Sequence, residues 1–275
     1  MKTLEPFQEA GARHLASNFH AALGDKRGLG KTVQALRAAN LIGAKNGLVT
    51  TFASVRTNWY EHIEEEFGRV GDWHVVSYNY ASDTAKRATL RDRYDVWIGD
   101  ELQACKSTES KRSMAVLGPG GLASRGTYKW PLSGTFAPNH RPVEMFPMLK
   151  TLAPGFRDIS YDEYTRKFCG AFFDGYKWNV KGAANLEEFK ALLRGFLLER
   201  TYNEVYPDRL EPLITPMPVE LSSADLFFVN SIEDEIGGRE ARLSSRYGWH
   251  VRERRRAIEE GWRPCWVSPL IPLDG

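Results

Sequence analysis

The stretch Gly24-Asp25-Lys26-Arg27-Gly28-Leu29-Gly30-Lys31-Thr32 decides how the rest of the sequence is read. A weak apolar run at residues 19–23 precedes it and an amphipathic segment at 31–42 follows, which predicts a strand, a glycine-rich turn and a helix. Glycines there let backbone N–H groups wrap phosphate oxygens, a lysine reaches the terminal phosphates and a threonine hydroxyl ligates magnesium. The helix dipole adds attraction for an anion at its start. The first position of the general pattern is Asp25 and not glycine, which weakens the match. A glycine-rich turn that happens to precede Lys-Thr is the competing reading.

Working outward, apolar runs at 47–52, 74–78, 94–99 and 128–132 alternate with amphipathic stretches at 55–67, 81–91, 107–117 and 142–152. This alternation predicts an α/β fold with a parallel central sheet flanked by helices. Ligands in such sheets sit at the carboxyl ends of strands, so the junctions are where chemistry is expected. After Pro154 come an aromatic-rich segment at 161–178, a helix at 186–198, an extended stretch at 213–221 and a mostly helical extension that is basic between 239 and 256. The expected division is a lobe at 1–155, an insertion and return segment at 156–221, and the extension with a proline-containing tail at 222–275.

Composition sets bounds. Hydrophobic residues are 42% and charged residues 26% of 275, as in globular chains. No apolar run reaches membrane-spanning length and no signal-peptide core follows Met1, so a cytoplasmic setting is expected and a membrane partner is not. Cys105, Cys169 and Cys265 are odd in number and widely spaced, against a disulfide framework or a zinc site. Cys105 has no neighbouring histidine base and reads as a small core filler.

A phosphate-binding loop that hydrolyses nucleotide needs an acidic group at a strand end. Tyr94-Asp95-Val96-Trp97-Ile98-Gly99-Asp100-Glu101 supplies two. One carboxylate can orient a metal while the next acts as base toward an attacking water. Asp-Glu pairs are common on surfaces, and it is the position some seventy residues after the loop, at a strand end, that makes this one informative.

With those elements in order, the chain resembles the Swi/Snf branch of superfamily-two helicases, especially its annealing-helicase-like members. Glu5-Pro6-Phe7-Gln8 is similar to the segment in which a glutamine reads adenine. Gly28-Leu29-Gly30-Lys31-Thr32-Val33-Gln34 resembles motif I, Leu48-Val49-Thr50 through Asn58-Trp59 motif Ia, and Asp100-Glu101-Leu102-Gln103 the Asp-Glu-x-His box. Leu132-Ser133-Gly134-Thr135 with Asn139 is similar to motif III. Lys177-Trp178-Asn179, Asn185-Leu186-Glu187-Glu188 and Leu197-Leu198-Glu199-Arg200 follow the spacing of the family's insertion and linker. The departures are Lys26 and Arg27 before Gly28, Phe52 and Phe136 in place of prolines, Gln103 in place of histidine, and Glu199 where a basic residue is common.

The resemblance implies a RecA-like lobe binding ATP and magnesium. In it Gln8 meets adenine, Gly28, Leu29, Gly30, Lys31, Thr32 and Val33 hold the phosphates, and Thr32 and Asp100 hold the metal. Glu101 is the base, with Lys31 and Asp100 completing the catalytic set, and Gln103, Ser133 and Gly134 couple nucleotide state to DNA. Ser54, Arg56, Asn58, Thr135 and Asn139 are the candidate contacts to double-stranded DNA, although a helix cap is the simpler reading of Ser54 alone. Family motors also need a second lobe that delivers an arginine. About fifty residues follow Leu221 and none resembles the later motifs, so a separate protein carrying the second lobe is expected, an arrangement that fits a bacterial or phage source. The alternative is a nucleotide-binding regulatory module with little turnover; nothing resembles the lid of a small-molecule kinase. The arginine run beginning at Arg239 suits a phosphate-binding patch or an ion-paired helix equally, because glutamates interleave with it. Trp59, Trp97 and Trp130 are expected in the core; Trp178, in a polar, aromatic-rich insertion, has packing as its default and protrusion toward a partner as the alternative.

Overall fold

The computed structural model describes residues 3–208. The expected stretch at 213–221, the basic run, Cys265 and the tail lie outside the described residues.

The helices are α1 Pro6–Ala16, α2 Lys31–Leu41, α3 Arg56–Phe67, α4 Tyr78–Ser82, α5 Thr84–Ala88, α6 Lys111–Leu117, α7 Phe146–Leu152, α8 Tyr161–Phe168, α9 Leu186–Leu193 and α10 Tyr202–Val205. The strands are β1 Ala22–Leu23, β2 Asn46–Thr51, β3 Asp72–Ser77, β4 Tyr94–Gly99, β5 Gly126–Pro131, β6 Phe172–Phe173, β7 Trp178–Asn179 and β8 Leu197–Leu198. The central sheet runs β3-β2-β4-β5, all parallel. Parallel bridges from His20 to Lys129 and from Leu23 to Leu132 set the short β1 beside β5, and β1 pairs in parallel with β8.

Both faces of this sheet are covered, as parallel strands require. Val49, Val96, Ile98 and Trp130 pack with Leu15 of α1, Leu36 of α2 and Trp59 of α3 in one buried cluster. Leu48 and Trp97, one residue out of phase, pack with Tyr78, Leu149, Phe156, Tyr164 and Phe168 in the other. The period-two alternation thus divides the strands between two cores. Trp97 and Trp130 are fully buried, as expected, and the Trp97 indole donates to Thr50 Oγ1 at 3.0 Å.

Several expected elements differ. The helix predicted at 81–91 is two short ones, because Ser77 and Asp83 each have extended backbone and cap a new start, accepting from the N–H groups of Tyr80 and Lys86. The helix predicted from 107 begins at Lys111, after Ser110 caps it. The helix predicted through 198 stops at Leu193, because Gly195 has φ +80° and turns the chain so that Leu197–Leu198 pairs with β1. Helices α1 and α8 carry no separate expectation from the sequence; α8 lies within the aromatic-rich segment and opens with a Ser160/Glu163 capping box.

His14 donates from Nε2 to the Phe196 carbonyl at 3.2 Å, tying α1 to the chain entering β8. Burial holds this imidazole below its ordinary value of about 6.5. The unfolded chain therefore binds more protons than the folded one as pH falls, so this contribution is complete above about pH 6.5 and is lost on acidification below it. Thermal melts of wild type and His14→Gln at pH 7.5 and 5.5 should show a smaller acid-induced drop in Tm for the variant. An equal drop in both would remove His14 from the account.

Candidate active site

The carboxyl ends of β1, β2 and β4 open onto one cleft of about 580 Å³, lined among others by Gly28, Gly30, Lys31, Thr32, Asp100 and Glu101. The loop after β1 owes its path to two glycines in the left-handed region, Gly28 at φ +85° and Gly30 at φ +77°. A Cβ on Gly30 would also stand 2.5 Å from Gln8 Nε2, so Gln8 lies directly against the loop, with its amide 3.4 Å from the Leu29 carbonyl. Gln8 Oε1 accepts the Glu5 N–H, which fixes the side chain at the start of α1. The Lys31 ammonium donates to the Asp25 carbonyl at 2.7 Å, and burial lowers its pKa. Val33 lies in the first turn of α2, with a side-chain methyl 3.2 Å from the Cβ position of Gly30.

Asp25, which weakens the sequence motif, is the buried anchor of the loop. Its carboxylate is fully buried and accepts from Arg200 Nε at 2.9 Å, Arg200 Nη2 at 2.6 Å and Gln34 Nε2 at 3.0 Å. Arg200 also donates to Gln34 Oε1 and to the Phe7 carbonyl, and its guanidinium lies 5.2 Å from the centre of the Phe7 ring. Tyr202 hydroxyl donates to the Arg27 carbonyl and stands where a Cβ on Gly28 would clash. One network therefore joins the loop, α1, α2 and the return segment.

Asp100 follows β4. Its Oδ2 accepts from Thr51 Oγ1 and from the indole Nε1 of Trp59, each at 2.8 Å. Among the described residues no hydrogen bond reaches Oδ1, which keeps its lone pairs for a metal or water. Burial raises the Asp100 pKa, opposed by those two donors and by Lys31, while Glu101 adds to the rise. Tyr78 hydroxyl donates to the Asp100 carbonyl at 2.6 Å. Thr32 and Asp100 line the same cleft, and no cluster of three or more His, Cys, Asp or Glu suited to a metal occurs among the described residues. A hydroxyl, one carboxylate oxygen, phosphates and water form a donor set that fits magnesium, which keeps much of its hydration.

Among the described residues, Glu101 is one of three non-glycine residues with positive φ, at +50°. Such strain is kept where the surroundings over-determine it. Gln103 Nε2 donates to Glu101 Oε2 at 2.5 Å, Ser133 Oγ donates to Gln103 Oε1 at 2.6 Å, and the Thr135 N–H donates to Ser133 Oγ at 2.9 Å. Gly134 brings the loop after β5 against Arg27 and within 3.7 Å of Lys31 Nζ, measured from its Cβ position. Of the residues read as coupling elements, Gln103 and Ser133 thus form one chain of hydrogen bonds to the second acid. Cys105 is buried, and its thiol is pushed up to about 12, which suits a core filler.

The residues read as a nucleic-acid track divide. Ser54 and Asn58 line the same cleft as Lys31, whereas Arg56 Nε donates to the Val75 carbonyl at 2.9 Å. Asn139 donates side chain and backbone to the Glu144 carboxylate. The capping reading of Ser54 is not realised, since α3 starts after Val55 with no side-chain cap. Trp59 is buried as expected, but its role as a donor to Asp100 escaped the sequence, as did Thr51, Gln34 and Arg200. An indole on an apolar helix face reads as packing, and its partner lies 41 positions away. Trp178 is 57% exposed, against the packing expected of it.

No protein-family model matches the chain. It is 29% identical to the Bos taurus DNA annealing helicase and endonuclease ZRANB3 over 260 residues, covering 84% of this chain and 24% of that protein. It is 30% identical over 230 residues to the Drosophila melanogaster SWI/SNF-related matrix-associated actin-dependent regulator of chromatin subfamily A-like protein 1, covering 76% of this chain and 29% of that one. The chain spans about a quarter of the length of these relatives. In structure it is similar to the Sulfolobus solfataricus SWI2/SNF2 ATPase core in complex with dsDNA, with TM-score 0.60 and 22% identity, over 75% of this chain and 46% of that one.

Removing Arg200 strands a buried carboxylate, for which a loss of about 3–5 kcal/mol is typical. Denaturant melts of Arg200→Ala should show a loss of this size, larger than that of the double variant Arg200→Leu/Asp25→Leu. If Arg200→Ala melts like wild type, the buried pair is not holding the loop.

Proposed function

Because this chain is a Swi/Snf-type, superfamily-two helicase-like lobe of the annealing-helicase branch, we propose that it binds ATP with magnesium as the first RecA-like lobe of a DNA-dependent motor, completed by a second lobe in trans. The observation that carries the reading is the convergence of Lys31, Thr32, Asp100 and the Glu101-Gln103-Ser133 chain on one cleft.

The residues act as follows. Gln8, held against the loop, meets the adenine edge. The N–H groups from Gly28 to Val33 face the phosphates, and Lys31 exchanges its bonds to loop carbonyls for the terminal phosphate. Thr32 hydroxyl and Asp100 Oδ1 would hold magnesium, which would neutralise charge on the phosphates. Trp59 and Thr51 satisfy Oδ2 and so aim the carboxylate. Glu101 takes the proton of the attacking water, and Gln103 relays its position to Ser133, Gly134 and Thr135.

Double-stranded DNA is the proposed track, met by Ser54, Arg56 and Asn58 at the head of α3 and by Thr135 and Asn139 after β5. Helix α3 then carries both a DNA-facing end and the indole that holds Asp100. An arginine from the second lobe, worth about 10³–10⁵ in rate in comparable sites, completes the cleft.

Nucleotide binding and ATP hydrolysis, with and without double-stranded DNA, test this reading. ATP binding should vanish in Lys31→Ala and persist in Glu101→Gln, with negligible turnover by the chain alone. Lys31-independent binding, or none, overturns the site; DNA-stimulated turnover without a partner overturns the need for a second lobe in trans. Trp59→Phe, which keeps the ring and loses the donor, should weaken magnesium affinity in the nucleotide complex about tenfold. An unchanged affinity in a folded Trp59→Phe variant would reduce the indole to packing.

A further inference from the structure

Helices α8 and α9 support the ribbon β6-β7, which holds the densest group of exposed aromatic side chains in the described residues. Phe172 and Phe173 are each 55% exposed, Tyr176 90% and Trp178 57%, in a chain that buries Trp59, Trp97 and Trp130 almost completely. Leaving such surface in water is costly unless a partner covers it. The ribbon is built to hold these rings out. Its turn closes on Asp174, whose carboxylate accepts the N–H groups of Tyr176 at 3.0 Å and Lys177 at 2.8 Å, with Gly175 at φ +93° between them. Its base is tied by the Ala184 N–H to the Phe168 carbonyl and by Asn185 to the Lys167 carbonyl.

The pairing of Phe173 with Trp178 puts both rings on one face, 5.9 Å apart and edge-on, and the Arg166 guanidinium lies 6.0 Å over Trp178. From residue 166 to 182 the sequence carries four cations, Arg166, Lys167, Lys177 and Lys181, against the single acid Asp174. Lys167 is paired with Glu188, and Asp174 is engaged with its own backbone. Among the described residues, Arg166, Lys177 and Lys181 enter no ion pair. Flat rings spaced along a short ribbon and flanked by cations that enter no ion pair match a strand of unpaired nucleotides, whose bases stack on rings and whose phosphates seek cations. A duplex hides its base faces and offers such rings nothing to stack on.

We propose that the 172–179 ribbon is a binding site for an unpaired nucleic-acid strand, with Tyr176 and Trp178 stacking on bases and Arg166, Lys177 and Lys181 meeting phosphates. This rests on the reading of the chain as a DNA motor and adds a second contact, separate from the proposed duplex track. It would let the lobe sense where a duplex gives way to a single strand.

The test uses the full chain and fluorescein-labelled oligo-dT of about twenty nucleotides, a fork with one such arm, and a blunt duplex, read by anisotropy at two salt concentrations. Each of Tyr176→Ala and Trp178→Ala should weaken oligo-dT and fork binding by at least about fivefold while leaving blunt-duplex and ATP binding unchanged. Lys177→Gln/Lys181→Gln should reduce the salt dependence of oligo-dT binding. Because all four side chains are exposed, the variants should melt with wild type, and a melt of each checks this. Wild-type affinities for oligo-dT that the ring variants match would overturn the proposal, as would absent oligo-dT binding. A change from dimer to monomer in the ring variants by light scattering, with nucleic-acid affinity unaltered, would overturn it in favour of a contact between copies. ATP binding in the same samples reports independently on the nucleotide site, so either reading can fail alone.

Discussion

A buried carboxylate without a cationic partner is strongly destabilising, and Arg200 supplies that partner for Asp25, with Gln34 adding a further hydrogen bond. Asp25 and Arg200 are 175 positions apart, so the phosphate-loop geometry at one end of the fold depends on the return strand at the other. Arg200 fills its remaining valences with Gln34 and the Phe7 carbonyl, which brings α1 and α2 into the same junction. Crowding there is severe enough that a Cβ on Gly11 would overlap Gln34 Oε1 at 1.8 Å. The loop is therefore preshaped by long-range ionic bonds and not by its glycines alone, which supply only the permitted φ angles.

The second acid site follows a different logic. Asp100 is desolvated, and burial penalises its charge, yet Lys31 lies near and two donors converge on one of its oxygens. That arrangement sets the carboxylate's direction before any ligand arrives, the condition under which electrostatic stabilisation costs no reorganisation. Glu101 beside it holds a left-handed backbone that a non-glycine residue adopts only under constraint, and the Gln103-Ser133 chain supplies part of that constraint. Gln103, a departure from the family's usual histidine, keeps the link because an amide can donate and accept at once.

Much of the sheet was legible in the chain because its strands are apolar runs long enough to show themselves. The centres of β2, β3, β4 and β5 all fall within the expected runs. Two-residue strands such as β8 carry no period to detect, and their apolar residues join the pattern of the preceding helix. The break at residue 83 was hidden because Asp83 reads equally well as a solvated helical residue and as a cap. For Trp178 the default of packing gives way to the outward alternative: size and apolarity favour burial, and only the ribbon's geometry turns it outward.

The sequence by itself determined the parallel α/β order, the loop with Lys31 and Thr32, and the paired acids at the end of β4, because each is a local pattern written in consecutive residues. Tertiary structure alone decided that Asp25 is an anchor, that Trp59 and Thr51 aim Asp100, and that Ser54 and Asn58 share the cleft with Lys31. Those facts are hydrogen bonds and contacts between residues tens to hundreds of positions apart. Spacing along the chain encodes which face a side chain occupies, and only the packed fold sets the direction in which its polar atoms point.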